Sequence, residues 1–258
     1  MSVYDELLIS RDLLAFQLFD WLDPDGESDR DTLFAMIDVA QQLATDVFLV
    51  HNRQIDVEEP SLDAEGVHAH PAIKDALAQY KELGLFGASF PEDVGGIGLP
   101  FAVSLAIYGN FSAASVATIA YPMLTAANAR LLTKFSTAAQ VEAFALPQIE
   151  GRWFGTMCLS EPQAGSSLGD IRTRAVPDGE DAFGARYLIS GNKMWISGGD
   201  QDISENIAHL VLAKVAQSDG SLPEGAKGTS LFVVPKKLAD GTSNDIAVAG
   251  LNHKLGYR

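Results

Sequence analysis

The hydrophobic rhythm of this chain changes once, near Gly151, and that change limits the folds open to it. Before it, apolar residues recur at three and four positions, the spacing of an amphipathic helix. After it, apolar runs of strand length alternate with Gly, Asp, Ser and Pro. The expected class is α+β: an all-α domain over 1–150, then a small antiparallel β-barrel or sandwich domain over 151–258. No fixed-period repeat interrupts either half.

In the first half, Ser10 is set to cap a helix whose stripe is Leu14, Leu18 and Trp21, ended by Pro24-Asp25-Gly26. A second helix is expected from about Asp31 to Asn52, with Leu33, Ile37, Ala40, Ala44 and Val47 inward. Residues 58–70 read as a polar loop. Pro71 opens a helix with Ile73, Leu77 and Tyr80 on one face, and Gly84 closes it. Phe90 to Gly98 is a glycine-rich loop, and Pro100 starts a small-residue helix to about Ala117. Tyr121-Pro122 is expected to break it, with another helix to Phe135. Thr137 and Gln140 form a capping-box pair, and Pro147 should stop the helix they start. Beyond Gly151 the expected strands are Trp153–Leu159, Ile171–Val176, Arg186–Ser190, Lys193–Ser197, Ala208–Val215, Thr229–Val234 and Ile246–Leu251. Gly191-Asn192 would form a tight turn between two of them.

Bulk properties remove several function classes. A formal charge of −16 gives no basic footprint for nucleic acid. The single cysteine, Cys158, cannot make an intrachain disulfide, and no Cys/His zinc spacing exists, so no metal site is expected. The opening MSVYDELL lacks the basic and apolar regions of a signal peptide. No run is expected to span a membrane, and the default location is cytoplasmic.

Familiar motifs fail on context. No GxGxxG stands between a strand and a helix, and the Gly95–Gly98 loop lacks a P-loop lysine. His68 and His70 lie in a polar loop without a second ligand pair. Asn110-Phe111-Ser112 fits a glycosylation sequon inside an expected helix. Gly165-Ser166-Ser167-Leu168-Gly169 matches the GxSxG of serine hydrolases, with His209 and His253 as candidate bases. That elbow needs a strand before Ser167 and a helix after it, and neither is expected.

The stretch 151–202 carries more chemistry. Ser160 and Ser197 end two strand-like runs, Trp195 offers an aromatic face, and Gln163 to Ser167 offers amides and hydroxyls without bulk. Those types suit a planar ring and its phosphates. They suit equally a core tryptophan between strand-ending serines, and composition leaves both readings open.

Motif order adds a resemblance. Met157-Cys158-Leu159-Ser160-Glu161-Pro162 with Ala164-Gly165-Ser166 resembles the flavin-strand signature of acyl-CoA dehydrogenases. Gly191-Asn192-Lys193-Met194-Trp195-Ile196-Ser197 resembles their second signature at the family spacing. Phe90-Pro91-Glu92-Asp93-Val94-Gly95-Gly96 is similar to their P-E-x-x-G-G loop. The runs 204–213, 227–235 and 253–256 resemble a subgroup of larger members. Two positions depart: Ser167 stands where the family has aspartate, and Gln201 where the larger subgroup has histidine.

The resemblance implies an enzyme that binds FAD and removes an α-proton and a β-hydride from an acyl-CoA, giving a trans-2-enoyl-CoA. By position Met157, Leu159 and Ser160 would contact the flavin ring. Ser166 would contact the pyrophosphate and acyl-CoA, Trp195 would cover one ring face, and Ser197 would bond near N5 and O4. Helices around Leu99–Leu132 would line the acyl pocket. The family's catalytic glutamate lies in a C-terminal helical domain, so no catalytic residue is assigned within 1–258. The chain then reads as the N-terminal part of an enzyme of roughly 600 residues, several ordinary domains long. On its own it is expected to bind FAD weakly and to be inactive. An electron-transfer flavoprotein or similar acceptor and a homo-oligomer are implied partners. A non-catalytic remnant or partner subunit that binds acyl-CoA or flavin is the alternative, and a hydrolase using Ser167 a further one.

Overall fold

The computed structural model describes residues 9–23 and 29–256. The expected Pro24–Gly26 break lies outside these. The chain forms two compact units, Met1–Tyr121 with His253–Arg258, and Pro122–Asn252.

The first unit is helical. Ser10 caps a helix over 11–21, accepting from the Leu13 N–H, and Leu14 and Leu18 are buried as expected. Trp21 is not: it is exposed, because the helix ends there in a widened turn. Asp29 caps the long helix Arg30–Val57. Leu33, Ile37, Ala40, Ala44 and Phe48 form its buried stripe. The helix widens at Ala44–Phe48 to an i→i+5 turn, which carries Phe48 fully inward. By length and composition this helix is able to cross a membrane, contrary to the expectation that no segment is. Here its stripe packs into protein: Phe48 meets Phe111 at 4.7 Å, and Tyr80 meets Phe111 edge-on at 5.0 Å.

Residues 58–70 are loop apart from a two-strand ribbon, Ser61–Leu62 (β1) against Val67–His68 (β2). His70 belongs to a helix cap, its ring Nδ1 accepting from the Ala72 N–H at the start of Pro71–Glu82. Ile73, Leu77 and Tyr80 face inward, and Gly84 ends the helix at φ +70°. Pro100 precedes the helix Phe101–Ala114. The chain then breaks at Ser115 (φ −157°), not at Pro122, which lies inside the helix Val116–Phe135. Proline removes one amide donor and breaks a helix only when that loss and the ring clash outweigh the packing on either side.

In the second unit the Thr137–Gln140 capping box forms as expected and starts a helix over 138–149. Pro147 does not stop it. A widened turn at Val141–Ala145 precedes the proline, and the helix continues to Ile149. The strands are Trp153–Cys158 (β3), Arg174–Asp181 (β4), Gly184–Ser190 (β5), Asn206–Val215 (β6) and Thr229–Pro235 (β7). They make one five-stranded sheet centred on β6. β3 and β4 pair with β6 in parallel, whereas β7 pairs with β6 and β5 with β4 antiparallel. The sheet is therefore mixed rather than antiparallel throughout, because long connections return β6 alongside β3 and β4 in the same direction. Lys193–Ser197 and Ile246–Leu251 are not strands, so Gly191-Asn192 joins no hairpin.

Helix and sheet are joined at Gly155. The Asn128 side-chain NH2 donates to the carbonyls of Thr156 (3.0 Å) and Ala208 (2.8 Å), on adjacent strands. Gln148 donates to Asn128 Oδ1 at 3.0 Å, and the Gly155 N–H donates to Thr125 Oγ1 at 3.1 Å. A Cβ at Gly155 would lie 2.2 Å from Gln148 Oε1 and 2.5 Å from Asn128 Cβ. Glycine alone permits this approach. Leu132, Phe144, Ala145 and Leu210 form the apolar cluster beside it.

Candidate functional site

The two signature segments meet through polar contacts that replace a strand ladder. The Met194 N–H donates to the Ser160 carbonyl at 3.0 Å. The Lys193 ammonium donates to the Leu159 carbonyl at 3.0 Å and to Glu161 Oε1 at 2.9 Å. Residues 193–194 are thus bound across 159–161 with no β pairing.

Glu161 is the centre of this junction and is 3% exposed. Its carboxylate also accepts the Arg172 N–H (2.7 Å), the Thr173 N–H (3.0 Å), the Thr173 hydroxyl and the Gln163 amide (2.8 Å). Burial would raise its pKa, but the bonds from Thr173, Arg172 and Lys193 outweigh burial and hold the carboxyl down at about 2. Gly191 abuts the same cluster: a Cβ there would lie 2.2 Å from Thr173 Oγ1. In the sequence Glu161, Lys193 and Gly191 stand inside the two motifs, and an acidic residue in one with a basic residue in the other is the signal for a contact between them.

Trp195 follows immediately. Its φ is +59°, and it is the one non-glycine residue with positive φ among the described residues. For a bulky side chain that region is strained. The side chain is 51% exposed. The expected strand would have turned Trp195 into a sheet face; instead a constrained turn presents its ring outward. Ser197 is exposed two residues later.

Ser160 is half-buried, held by its carbonyl to Met194. Met157 is half-buried on β3, and its side chain packs on the Leu132, Phe144, Ala145 and Leu210 cluster. Leu159 is tied through its carbonyl to Lys193. Ser166 is exposed in a loop closed at one end by the Glu161–Ala164 main-chain pair. At the other end the buried Lys214 ammonium reaches the Gly169 carbonyl at 2.7 Å. The structure thus brings Leu159 and Ser160 to the segment carrying Trp195 and Ser197, and anchors the Ser166 loop at both ends.

The remaining candidates have structural partners. Ser167 is exposed and opens the three-residue turn Leu168–Asp170, with neither strand before nor helix after. His209 is buried on β6 and bonded through Nδ1 to Thr156 Oγ1 at 2.7 Å. Burial holds its pKa down at about 4 despite the opposing charge of Asp200, and Lys236 adds to the lowering. His253 pairs with Glu59 at 2.7 Å. Burial pushes the Cys158 thiol up, keeping it protonated and inert. Asn110 is fully buried and donates to the Ala106 carbonyl, unfit for glycosylation. Gln201 caps the turn entering β6, accepting the Ser204 N–H at 2.8 Å.

Two family models match the chain: the acyl-CoA dehydrogenase N-terminal domain over residues 35–152 and the acyl-CoA dehydrogenase middle domain over 156–258. The chain is 38% identical to 3-methylmercaptopropionyl-CoA dehydrogenase of Ruegeria pomeroyi, over 79% of this chain and 34% of that protein. It is 32% identical to a broad-specificity linear acyl-CoA dehydrogenase of Mycobacterium tuberculosis, over 92% of this chain and 38% of that protein. It therefore spans little more than a third of these relatives. Its fold is similar to that of a Bacillus anthracis acyl-CoA dehydrogenase solved with FAD. The TM-score is 0.62 at 23% identity, over 83% of this chain and 33% of that one. With both domain models matched in order along nearly all of its length, the chain belongs to the acyl-CoA dehydrogenase family, of which it carries the N-terminal and middle domains.

Proposed function

We propose that this chain supplies the flavin wall and part of the acyl site of an FAD-dependent acyl-CoA dehydrogenase. The observation that carries the reading is Trp195, an outward-facing aromatic in strained backbone beside the Lys193–Glu161 junction. A planar cofactor needs an aromatic cover and hydroxyl or amide donors, and the joined segments hold Trp195, Ser160 and Ser197. The residues fit the group.

Leu159, Ser160, Trp195 and Ser197 would hold the ring. Met157 would act through its main chain, since its side chain belongs to the apolar cluster. Ser166 would bind the pyrophosphate and acyl-CoA. When bound, FAD supplies a two-electron acceptor for the β-hydride of the acyl thioester. Trp195 would shield one ring face from water. Ser197 would donate toward the atom where negative charge grows, a preorganised stabilisation. The base that removes the α-proton would come from outside these residues, in sequence equivalent to the remaining length of the relatives. Residues 1–150 would serve the acyl chain and 151–258 the flavin. Electron-transfer flavoprotein or a similar acceptor, a homo-oligomer and a cytoplasmic address complete the reading.

The test is the product of the complete reading frame, assayed against acyl-CoA thioesters of graded length with an artificial electron acceptor. Turnover to trans-2-enoyl-CoA supports the proposal. A protein that binds acyl-CoA or flavin yet turns over none of the panel contradicts it and favours a non-catalytic partner.

A further inference from the structure

We propose that the Glu161–Lys193 ion pair is the positioning device of the flavin wall, holding Trp195 outward in its left-handed conformation and keeping Ser160 and Ser197 at one edge.

Segment 191–197 has no ladder to a neighbouring strand. A segment without a ladder keeps a strained residue in place only where the surroundings over-determine it. Here the constraint comes from residues 193 and 194, the two immediately before Trp195. Lys193 is 11% exposed along its side chain and bridges a carboxylate and a carbonyl. Met194 is fixed by its amide to Ser160. Glu161 is itself also held by the Arg172 and Thr173 amides, and Gly191 leaves room for Thr173 beside it. Three separate stretches, 159–161, 172–173 and 191–194, therefore converge on one carboxylate. Loss of either charge leaves the other buried without its partner, and the backbone before Trp195 loses its anchor. Neither residue is assigned contact with flavin or substrate, so both act through Trp195 and Ser160.

This inference rests on the proposed flavin site, but its first readout, the surroundings of Trp195, is independent of flavin. The complete protein would be labelled with 5-fluorotryptophan. Its 19F spectrum contains the resonances of Trp21, Trp153 and Trp195, the last assigned with Trp195→Phe. In Lys193→Met and Glu161→Gln, the Trp195 resonance should move toward the random-coil position while those of Trp21 and Trp153 stay. Flavin affinity should fall at least tenfold, with altered visible bands in whatever flavin remains bound. Lys193→Arg should restore both signals in large part. Where the charge variants do not fold, Thr173→Val, which keeps the ion pair and removes one hydroxyl bond, should move the same resonance by a smaller amount. A Trp195 resonance unchanged in every folded variant overturns the proposal. Wild type that binds no flavin, with a Trp195 resonance that still responds, overturns the flavin reading and leaves the clamp standing.

Discussion

The Lys193 ammonium lies 2.9 Å from Oε1 of Glu161, with both side chains nearly buried. The pair joins two segments that are 32 residues apart in sequence, and its energetics are accessible to acid. Because the folded carboxyl is held at about 2 against an ordinary 4.5, its contribution is complete above pH 4.5 and is lost as pH falls toward 2. By proton linkage a shift of that size corresponds to about 3 kcal/mol, shared among the hydrogen bonds from Thr173 and Arg172 and the Lys193 ammonium. Urea midpoints measured from pH 6 to pH 2 should show this slope in the parent and a flatter one in Glu161→Gln.

His209 should set the earlier part of the acid profile. Its folded value of about 4 lies below the ordinary 6.5, chiefly because burial disfavours the imidazolium. Stability therefore begins to fall below pH 6.5 and continues to fall until pH passes 4. Over that window the loss should amount to roughly 3 kcal/mol. Replacement by Gln, which has no titration there, should remove that component while leaving the Glu161 component at lower pH.

Gly155→Ala should be among the costliest single-methyl additions in the second unit. The new methyl would overlap Gln148 and Asn128, and both are fixed by their own hydrogen bonds. Overpacking of this kind costs about 1–3 kcal/mol. Chemical denaturation gives the number, and a loss below about 0.5 kcal/mol would show that the helix layer moves away freely.

Asn128→Leu keeps the number of side-chain heavy atoms and removes the donors. The carbonyls of Thr156 and Ala208 then lose their shared side-chain donor, and the Gln148 amide keeps only its bond to the Phe144 carbonyl. Orphaned buried polar groups cost about 1–3 kcal/mol each, so a loss of at least about 2 kcal/mol is expected by the same measurement. Hydrogen exchange should rise at β3 and β6 before it rises at β5.

Local signals were legible where local physics decides. Ser10, Pro71, Gly84 and the Thr137–Gln140 box stand at the helix ends where the sequence puts them. The prolines misled: Pro122 and Pro147 lie within helices that packing sustains. Strand direction is also out of reach, since the nearly continuous burial along β6 does not name the direction of each partner. In Lys193–Ser197, alternation suggested a strand, but the segment is held by a charged side chain and one amide. The candidate site residues Met157, Leu159, Ser160, Ser166, Trp195 and Ser197 stand in motifs that the sequence shows directly. The joining role of the Glu161 carboxylate is not legible there, because its partners Gln163, Arg172, Thr173 and Lys193 are brought to it by the fold.

Flavin titration of the complete protein tests whether Trp195 covers the flavin. FAD would be removed and returned to wild type and to Trp195→Ala while visible absorbance and flavin fluorescence are followed. Tight binding with quenched fluorescence is expected in wild type. Binding at least tenfold weaker with bright fluorescence is expected in Trp195→Ala, at nearly unchanged thermal stability because the residue is half exposed. Equal affinity and equal quenching in the two proteins would contradict that covering role.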